Sequence, residues 1–163
     1  MGQSGSGKST FVNAICGLHN DEDEDAAKTG VVETTMEPTA YPHPKLRNLL
    51  FWDLPGTGTT RTITQSINYD HYDLFIIIAS ERVRHSDMEL AKKICSMKKK
   101  FYFVRNKIDT DLRASKLRRR KTYNERRILH EIRDNCITSL RDGGVEEPIV
   151  FLLSCLEMDK ELF

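Results

Sequence analysis

The order of apolar and polar positions separates the chain into alternating helices and strands. In "STFVNAICGL", Phe11, Val12, Ile15 and Leu18 fall at helical spacing, so Ser9–Leu18 reads as a helix with Gly17 near its end. "TAY" at Thr39–Tyr41 and "LLFWD" at Leu49–Asp53 are extended, and the Pro42–Pro44 corner between them predicts an antiparallel hairpin. "LFIIIAS" (Leu74–Ser80) is a continuous apolar, β-branched run, as a strand covered on both faces requires. "FYFVR" (Phe101–Arg105) reads as another buried strand, and "PIVFLLS" (Pro148–Ser154) as the last strand. Between these strands, Ser86–Lys100 predicts a helix. Ser86 is placed to cap it, Glu89 sits at capping-box spacing, and the lysines complement the C-terminal dipole. Arg113–Arg127 is basic and exposed in this reading, with a solvated helix face as its ordinary role. It runs into an amphipathic helix carrying Ile128, Leu129, Ile132, Cys136, Ile137 and Leu140, closed by Gly143–Gly144. Strands alternating with helices predict an α/β domain with a mostly parallel sheet.

Composition narrows the class. The chain has 163 residues, enough for one domain with a real core, and is 39% hydrophobic and 30% charged. Its formal net charge of +1 gives no global case for binding nucleic acid. No apolar run approaches the ~18 residues of a membrane span, and no apolar core of a signal peptide follows Met1. Cys16, Cys95, Cys136 and Cys155 form no CxxC pair and read as reduced thiols. The histidines lack metal-ligand spacing. The acidic run from Asn20 to Gly30 reads as a solvated loop.

The chemistry lies in the loops. Gly2-Gln3-Ser4-Gly5-Ser6-Gly7-Lys8-Ser9 fits G-x-x-x-x-G-K-[ST] in full. Glycines let the backbone curl so that successive N–H groups, including those near Ser6 and Thr10, point at phosphate oxygens. Lys8 adds a point charge toward the β- and γ-phosphates, and the Ser9 hydroxyl is suited to Mg²⁺. The helix that follows aims its positive end at the same place. "NKID" (Asn106, Lys107, Ile108, Asp109) follows a strand, at the end where α/β folds bind ligands. The Asp109 carboxylate matches the N1–H and amine of guanine; adenine would leave it unpaired. A site built on such partners rejects the wrong analogue by roughly 10⁴. This argues against an ATP-using protein. Lys107 can lay its stem along the base. Ser154 and Cys155, after the last strand, occupy the place of a loop that supports the base.

"WDLPGTG" carries D-x-x-G. Asp53 would hold Mg²⁺ through water, and the Gly56 N–H would meet the γ-phosphate. "TGVVETTM" (Thr29–Met36) occupies the slot for a further Mg²⁺ ligand, with Thr35 the first choice and Thr34 the alternative. Thr57 stands where many GTPases place a water-orienting Gln, and Ser4 where a Gly is common. Slow hydrolysis by the isolated domain is therefore expected, with fast turnover needing a group from a second subunit.

With "GSGKS", "TGVVETTM", "YPHPKLRNLLFWDLPGTG", "YDLFIIIAS", "KKFYFVRNKIDTDL" and "EPIVFLLS", the chain resembles the immunity-related GTPases, relatives of the dynamin-like proteins. The resemblance covers nearly the whole chain and is to the GKS type. It implies a P-loop NTPase fold of the Ras-like G-domain kind, with helices on both faces of the sheet. It also implies GTP/GDP and Mg²⁺ as cofactors and oligomerisation, homo- or hetero-, through the nucleotide face. Cell-autonomous immunity at intracellular membranes is implied too, with a cytoplasmic, peripherally membrane-associated location. Glu33 would take part in hydrolysis activated by dimerisation, and Thr35 would be the Mg²⁺-side threonine.

Two departures from that family pattern shape the expectations. A phosphate-binding loop is a strand-to-helix turn, yet the loop starts at Gly2, so residues 1–163 read as a G domain truncated at both ends, without its first strand and flanking helical domain. In a GTPase sheet that strand is central. Each backbone partner lost costs about 1–3 kcal/mol against a domain stability of about 5–15 kcal/mol. An opened sheet and weak nucleotide binding by the bare chain are expected. The rival expectation is a catalytically weak truncated module that acts through protein–protein interaction.

Overall fold

The computed structural model describes residues 1–18, 26–29, 37–55 and 67–155. In chain order the elements are α1 (Lys8–Cys16), β1 (Thr39–Pro42), β2 (Leu50–Asp53), a 3₁₀ turn (Tyr69–His71), β3 (Leu74–Ala79), α2 (His85–Ser96), β4 (Lys100–Arg105), α3 (Ile108–Arg118), α4 (Glu125–Asp142) and β5 (Val150–Leu152).

The predicted hairpin is present. β1 and β2 pair antiparallel, Thr39 opposite Asp53 and Pro42 opposite Leu50. β3, β4 and β5 form a parallel three-stranded sheet in that order, with Phe75 opposite Phe101 and Phe103 opposite Val150. The fold is α/β with helices on both faces. One face meets α1, where Phe11, Ala14 and Ile15 pack on Ile78, Val104 and Cys155. The other carries the main core, where Ile77 and Phe103 meet Leu90 and Ile94 of α2 and Leu140 of α4. Ile77, Ile94, Phe103 and Leu140 are fully buried, which explains the uninterrupted apolar reading of β3 and β4.

Several boundaries differ from expectation, β5 among them at Val150–Leu152 in place of Pro148–Ser154. α1 ends at Cys16, because Gly17 adopts φ 68° and its N–H turns back to the Asn13 and Ala14 carbonyls. α2 begins at His85 and is capped by Asp87, not Ser86: the Asp87 carboxylate accepts the Arg84 N–H at 2.9 Å. It stops at Ser96 because Lys98 takes φ 56° and β4 starts at Lys100. The stretch read as exposed from Arg113 belongs in part to α3, a helix the apolar pattern hides. Only Ile108 and Leu112 of it are buried, while Arg118 onward remains exposed as expected.

Among the described residues the β1–β2 hairpin and the β3–β4–β5 sheet share no hydrogen-bonded edge. Met1 pairs with β3: its amino group donates to the Ile76 carbonyl at 2.6 Å and its carbonyl accepts the Ile78 N–H at 2.8 Å. A cavity of about 400 Å³ lies between β2 and β3, lined by Met1, Phe11, Val12, Phe51, Trp52 and Ile76 among others. Trp52 packs edge-on against His71 at 5.3 Å and Tyr72 at 5.8 Å, holding the hairpin beside β3. All four cysteines are free thiols. No helix of the described residues is long and apolar enough to cross a membrane.

Candidate functional site

The phosphate loop runs from Met1, alongside β3, into α1. Two of its glycines have no alternative. Gly2 has φ +141°, and a Cβ there would lie 2.0 Å from the Ile78 carbonyl oxygen. Gly7 has φ +91° and would place a Cβ 2.5 Å from Asn106 Nδ2. The loop closes on itself through Ser6 N–H to the Gln3 carbonyl at 3.3 Å and Lys8 Nζ to the same oxygen at 3.0 Å. The Lys8 ammonium thus arches over the loop, on the side where the α1 N-terminus exposes its N–H groups. Thr10 lies in the first turn, half-buried.

Ser9 Oγ donates to Asp53 Oδ2 at 2.7 Å, tying the start of α1 to the end of β2. Asp53 is buried. Two of the three sequence-predicted metal ligands are therefore adjacent. A hydroxyl and one carboxylate are hard oxygen donors of the kind Mg²⁺ takes when phosphate and water complete the shell. The donor set fits that ion. No cluster of three His, Cys, Asp or Glu side chains occurs among the described residues. Glu33, Thr34, Thr35, Gly56 and Thr57 lie outside the described residues.

The residues that the sequence assigns to a purine side meet at the end of β4. The Asn106 N–H donates to the Ala79 carbonyl at 2.8 Å, which fixes the turn against β3. Lys107 is left-handed, with φ 60° and ψ 34°, and the chain then enters α3. Its Nζ reaches the Gly5 carbonyl at 2.9 Å, crossing from one loop to the other. Ser154 Oγ donates to Asp109 Oδ1 at 2.6 Å, aiming a half-exposed carboxylate. Cys155 contributes its backbone: its N–H donates to Asn106 Oδ1 at 3.2 Å. Burial pushes its thiol up to about 11, so it stays protonated.

Asn106 is the hub. Its side chain also donates through Nδ2 to the Ser6 carbonyl at 3.1 Å, so one buried amide joins the phosphate loop to the loop after β5. Sequence spacing places Asn106 in the purine motif; the structure adds that it holds both halves of the site together.

Sequence reasoning passed over two groups. Arg105 is buried at the end of β4 and donates to Asp111 Oδ2 at 2.5 Å and the Asn106 carbonyl at 2.9 Å. Burial pushes the Asp111 carboxyl up, against the pull of the Arg105 guanidinium. An arginine closing an otherwise apolar strand was the available signal. The second group is α2's first turn, where Gln3 Nε2 donates to Ser86 Oγ at 3.0 Å.

Similarity to known proteins agrees with this geometry. The family described as interferon-inducible GTPase (IIGP) matches residues 1–163. Interferon-inducible GTPase 1 of Mus musculus is 46% identical over 157 residues, covering 94% of this chain and 38% of that protein. Interferon-inducible GTPase 5 of Bos taurus is 45% identical over 159 residues, 95% of this chain and 34% of that protein. Immunity-related GTPase family M protein 1 of Mus musculus is 41% identical over 160 residues, 96% of this chain and 37% of that protein. The chain therefore spans well under half the length of these curated relatives. Among solved structures, a probable GTP-binding protein engB superposes with TM-score 0.55 at 14% identity, over 95% of this chain and 86% of that one. That likeness is one of fold, the α/β P-loop architecture. On the family match and the relatives together, this chain belongs to the interferon-inducible GTPase family.

Proposed function

We propose that the chain is the nucleotide-binding part of a Mg²⁺-dependent GTPase that binds GTP and GDP and hydrolyses GTP to GDP and phosphate. The observation that carries this reading is the Asn106 clamp. It brings a phosphate loop with Lys8 and Ser9 and a purine-reading carboxylate, Asp109, to one face of the domain.

In this reading the inward N–H groups of residues 5–10 and the Lys8 ammonium bind the phosphates. Ser9 and Asp53 hold Mg²⁺, with Thr35 as the further ligand. The ion supplies charge neutralisation on the phosphate oxygens. Ser154 keeps the Asp109 carboxylate aimed at the guanine edge, and Lys107 covers the base. Thr57 offers no amide to hold water, so hydrolysis depends on Glu33 and on a second copy meeting the nucleotide face. Relatives named interferon-inducible GTPase and immunity-related GTPase support an interferon-inducible role in immunity, which this reading takes to be cell-autonomous. The place of action in this reading is the cytoplasmic surface of intracellular membranes, reached through parts of the protein outside these residues.

The test is turnover per molecule against protein concentration. The account expects a slow rate when dilute and a rising specific rate as copies meet; a flat, fast rate when dilute refutes it. A second reading is a catalytically weak module acting through protein–protein contact, favoured by the opening between β2 and β3. No concentration dependence together with weak GDP binding would support it.

A further inference from the structure

Among the described residues three buried side-chain polar atoms have no hydrogen-bond partner; one is Arg133 Nε, and the other two sit where the phosphate loop meets the first turn of α2. Those two are Ser6 Oγ and Asp87 Oδ1. Ser6 is 2% exposed and Asp87 1% exposed. Buried polar atoms in native proteins are nearly always partnered, and an ionised carboxylate oxygen is among the costliest to leave bare. Here both atoms belong to residues lining one small chamber, roofed by Ser80, Glu81 and Arg84. Its volume, about 10 Å³, is close to that of one water-sized sphere. A space of that size admits one water and nothing larger.

We propose that this chamber binds a single structural water bridging Ser6 Oγ and Asp87 Oδ1, and that Asp87 is thereby a positioning residue for the phosphate loop. The two orphaned atoms supply one donor and one acceptor to such a water, and its second proton is left for another polar group of the lining, such as Ser80 or Glu81. Ser6 Oγ–H donates to the water, and the water donates to Asp87 Oδ1. Asp87 Oδ2 is already occupied by the Arg84 N–H at 2.9 Å, so Oδ1 is the oxygen left for the bridge. Burial pushes the Asp87 carboxyl up, and a donated water proton opposes that shift.

The consequence for the site follows from what else holds Ser6. Its carbonyl accepts from Asn106 Nδ2 at 3.1 Å. The water would hold its side chain from the other side, so the Ser6 peptide is pinned between the purine loop and α2. At the rim of the same chamber, Gln3 Nε2 donates to Ser86 Oγ at 3.0 Å. The first turn of α2 thus grips the phosphate loop at Gln3 and at Ser6, and a shift of α2 would loosen the grip on nucleotide. This inference rests on the proposed nucleotide site.

The experiment is a double-mutant cycle on the release rate of a fluorescent GDP analogue, using the full chain with Mg²⁺. The variants are Ser6→Ala, Asp87→Asn and the pair. Asp87→Asn retains an acceptor for the Arg84 N–H, so α2 keeps its cap. A shared water predicts that each single change speeds release by roughly threefold to tenfold, and that the pair is no faster than the faster single. Two independent structural roles would instead multiply. Multiplying effects, or unchanged singles, overturn the proposal. If neither the parent chain nor a chain with an apolar extension before Met1 shows saturable GDP binding, the nucleotide reading fails. The chamber is then judged by the same cycle in urea unfolding, where non-additivity supports the water bridge and additivity overturns it.

Discussion

Asn106 Nδ2 donates to the Ser6 carbonyl oxygen at 3.1 Å, although 100 residues separate the two along the chain. The same amide accepts the Cys155 N–H at 3.2 Å. Asn106→Ala therefore orphans a carbonyl and an N–H, each at about 1–3 kcal/mol. The expected outcome is a lower urea midpoint with an unchanged m-value, together with weaker GDP binding. A stability change within about 0.5 kcal/mol, the range of an ordinary surface change, would show that the clamp does not hold the two loops.

The glycines of the phosphate loop are not equivalent. A Cβ on Gly5 meets nothing within 4 Å, so Gly5→Ala incurs only the strain of φ +74°, about 1–2 kcal/mol. Gly7→Ala adds a contact of 2.5 Å with Asn106 Nδ2. Thermal unfolding without nucleotide should rank Gly7→Ala as clearly less stable than Gly5→Ala. The reverse order would contradict the packing described.

Stability should depend on pH through Met1. Burial of its amino group beside β3, with Lys8 nearby, pulls the ammonium from 8.0 down to about 5. The unfolded chain then holds one more proton than the folded chain between about pH 5 and 8, so stability rises with pH across that window. The slope approaches about 1.4 kcal/mol per pH unit at most. N-terminal acetylation should flatten this component. A pH profile unchanged by acetylation would show that the amino group is not buried.

The elements were largely legible in the sequence, and the reasons are local. β3 and β4 are buried on both faces, so their apolar runs name them. The loop glycines and "NKID" name both halves of the site because each needs particular backbone or side-chain chemistry. What was hidden depends on tertiary partners. α3 shows little amphipathic stripe because only Ile108 and Leu112 face inward. Asp87, not Ser86, caps α2 because the helix starts at His85, which puts Ser86 inside the first turn, where its Oγ accepts from Gln3, and Asp87 three residues after Arg84. Asn106 as a clamp could not be read from spacing, since its partners are Ser6 and Cys155.

The cavity between β2 and β3 has the setting of a strand. An added apolar, β-branched run of about six residues before Met1 would continue the register that Met1 starts beside Ile76 and Ile78. Such an extension should raise both the unfolding midpoint and GDP affinity. A proline-rich extension of equal length should do neither. Equal GDP affinity with and without the apolar run would show that the opening leaves the phosphate loop undisturbed.

The most direct test of the account is a paired titration of GDP and ADP, with Mg²⁺, into the chain bearing that apolar extension. Asp109, aimed by Ser154 at 2.6 Å, should favour GDP by roughly 10⁴, and Asp109→Ala should remove most of that preference while leaving phosphate contacts in place. Equal affinity for the two nucleotides in that extended chain, before any substitution, would contradict the assignment of this face as a guanine site.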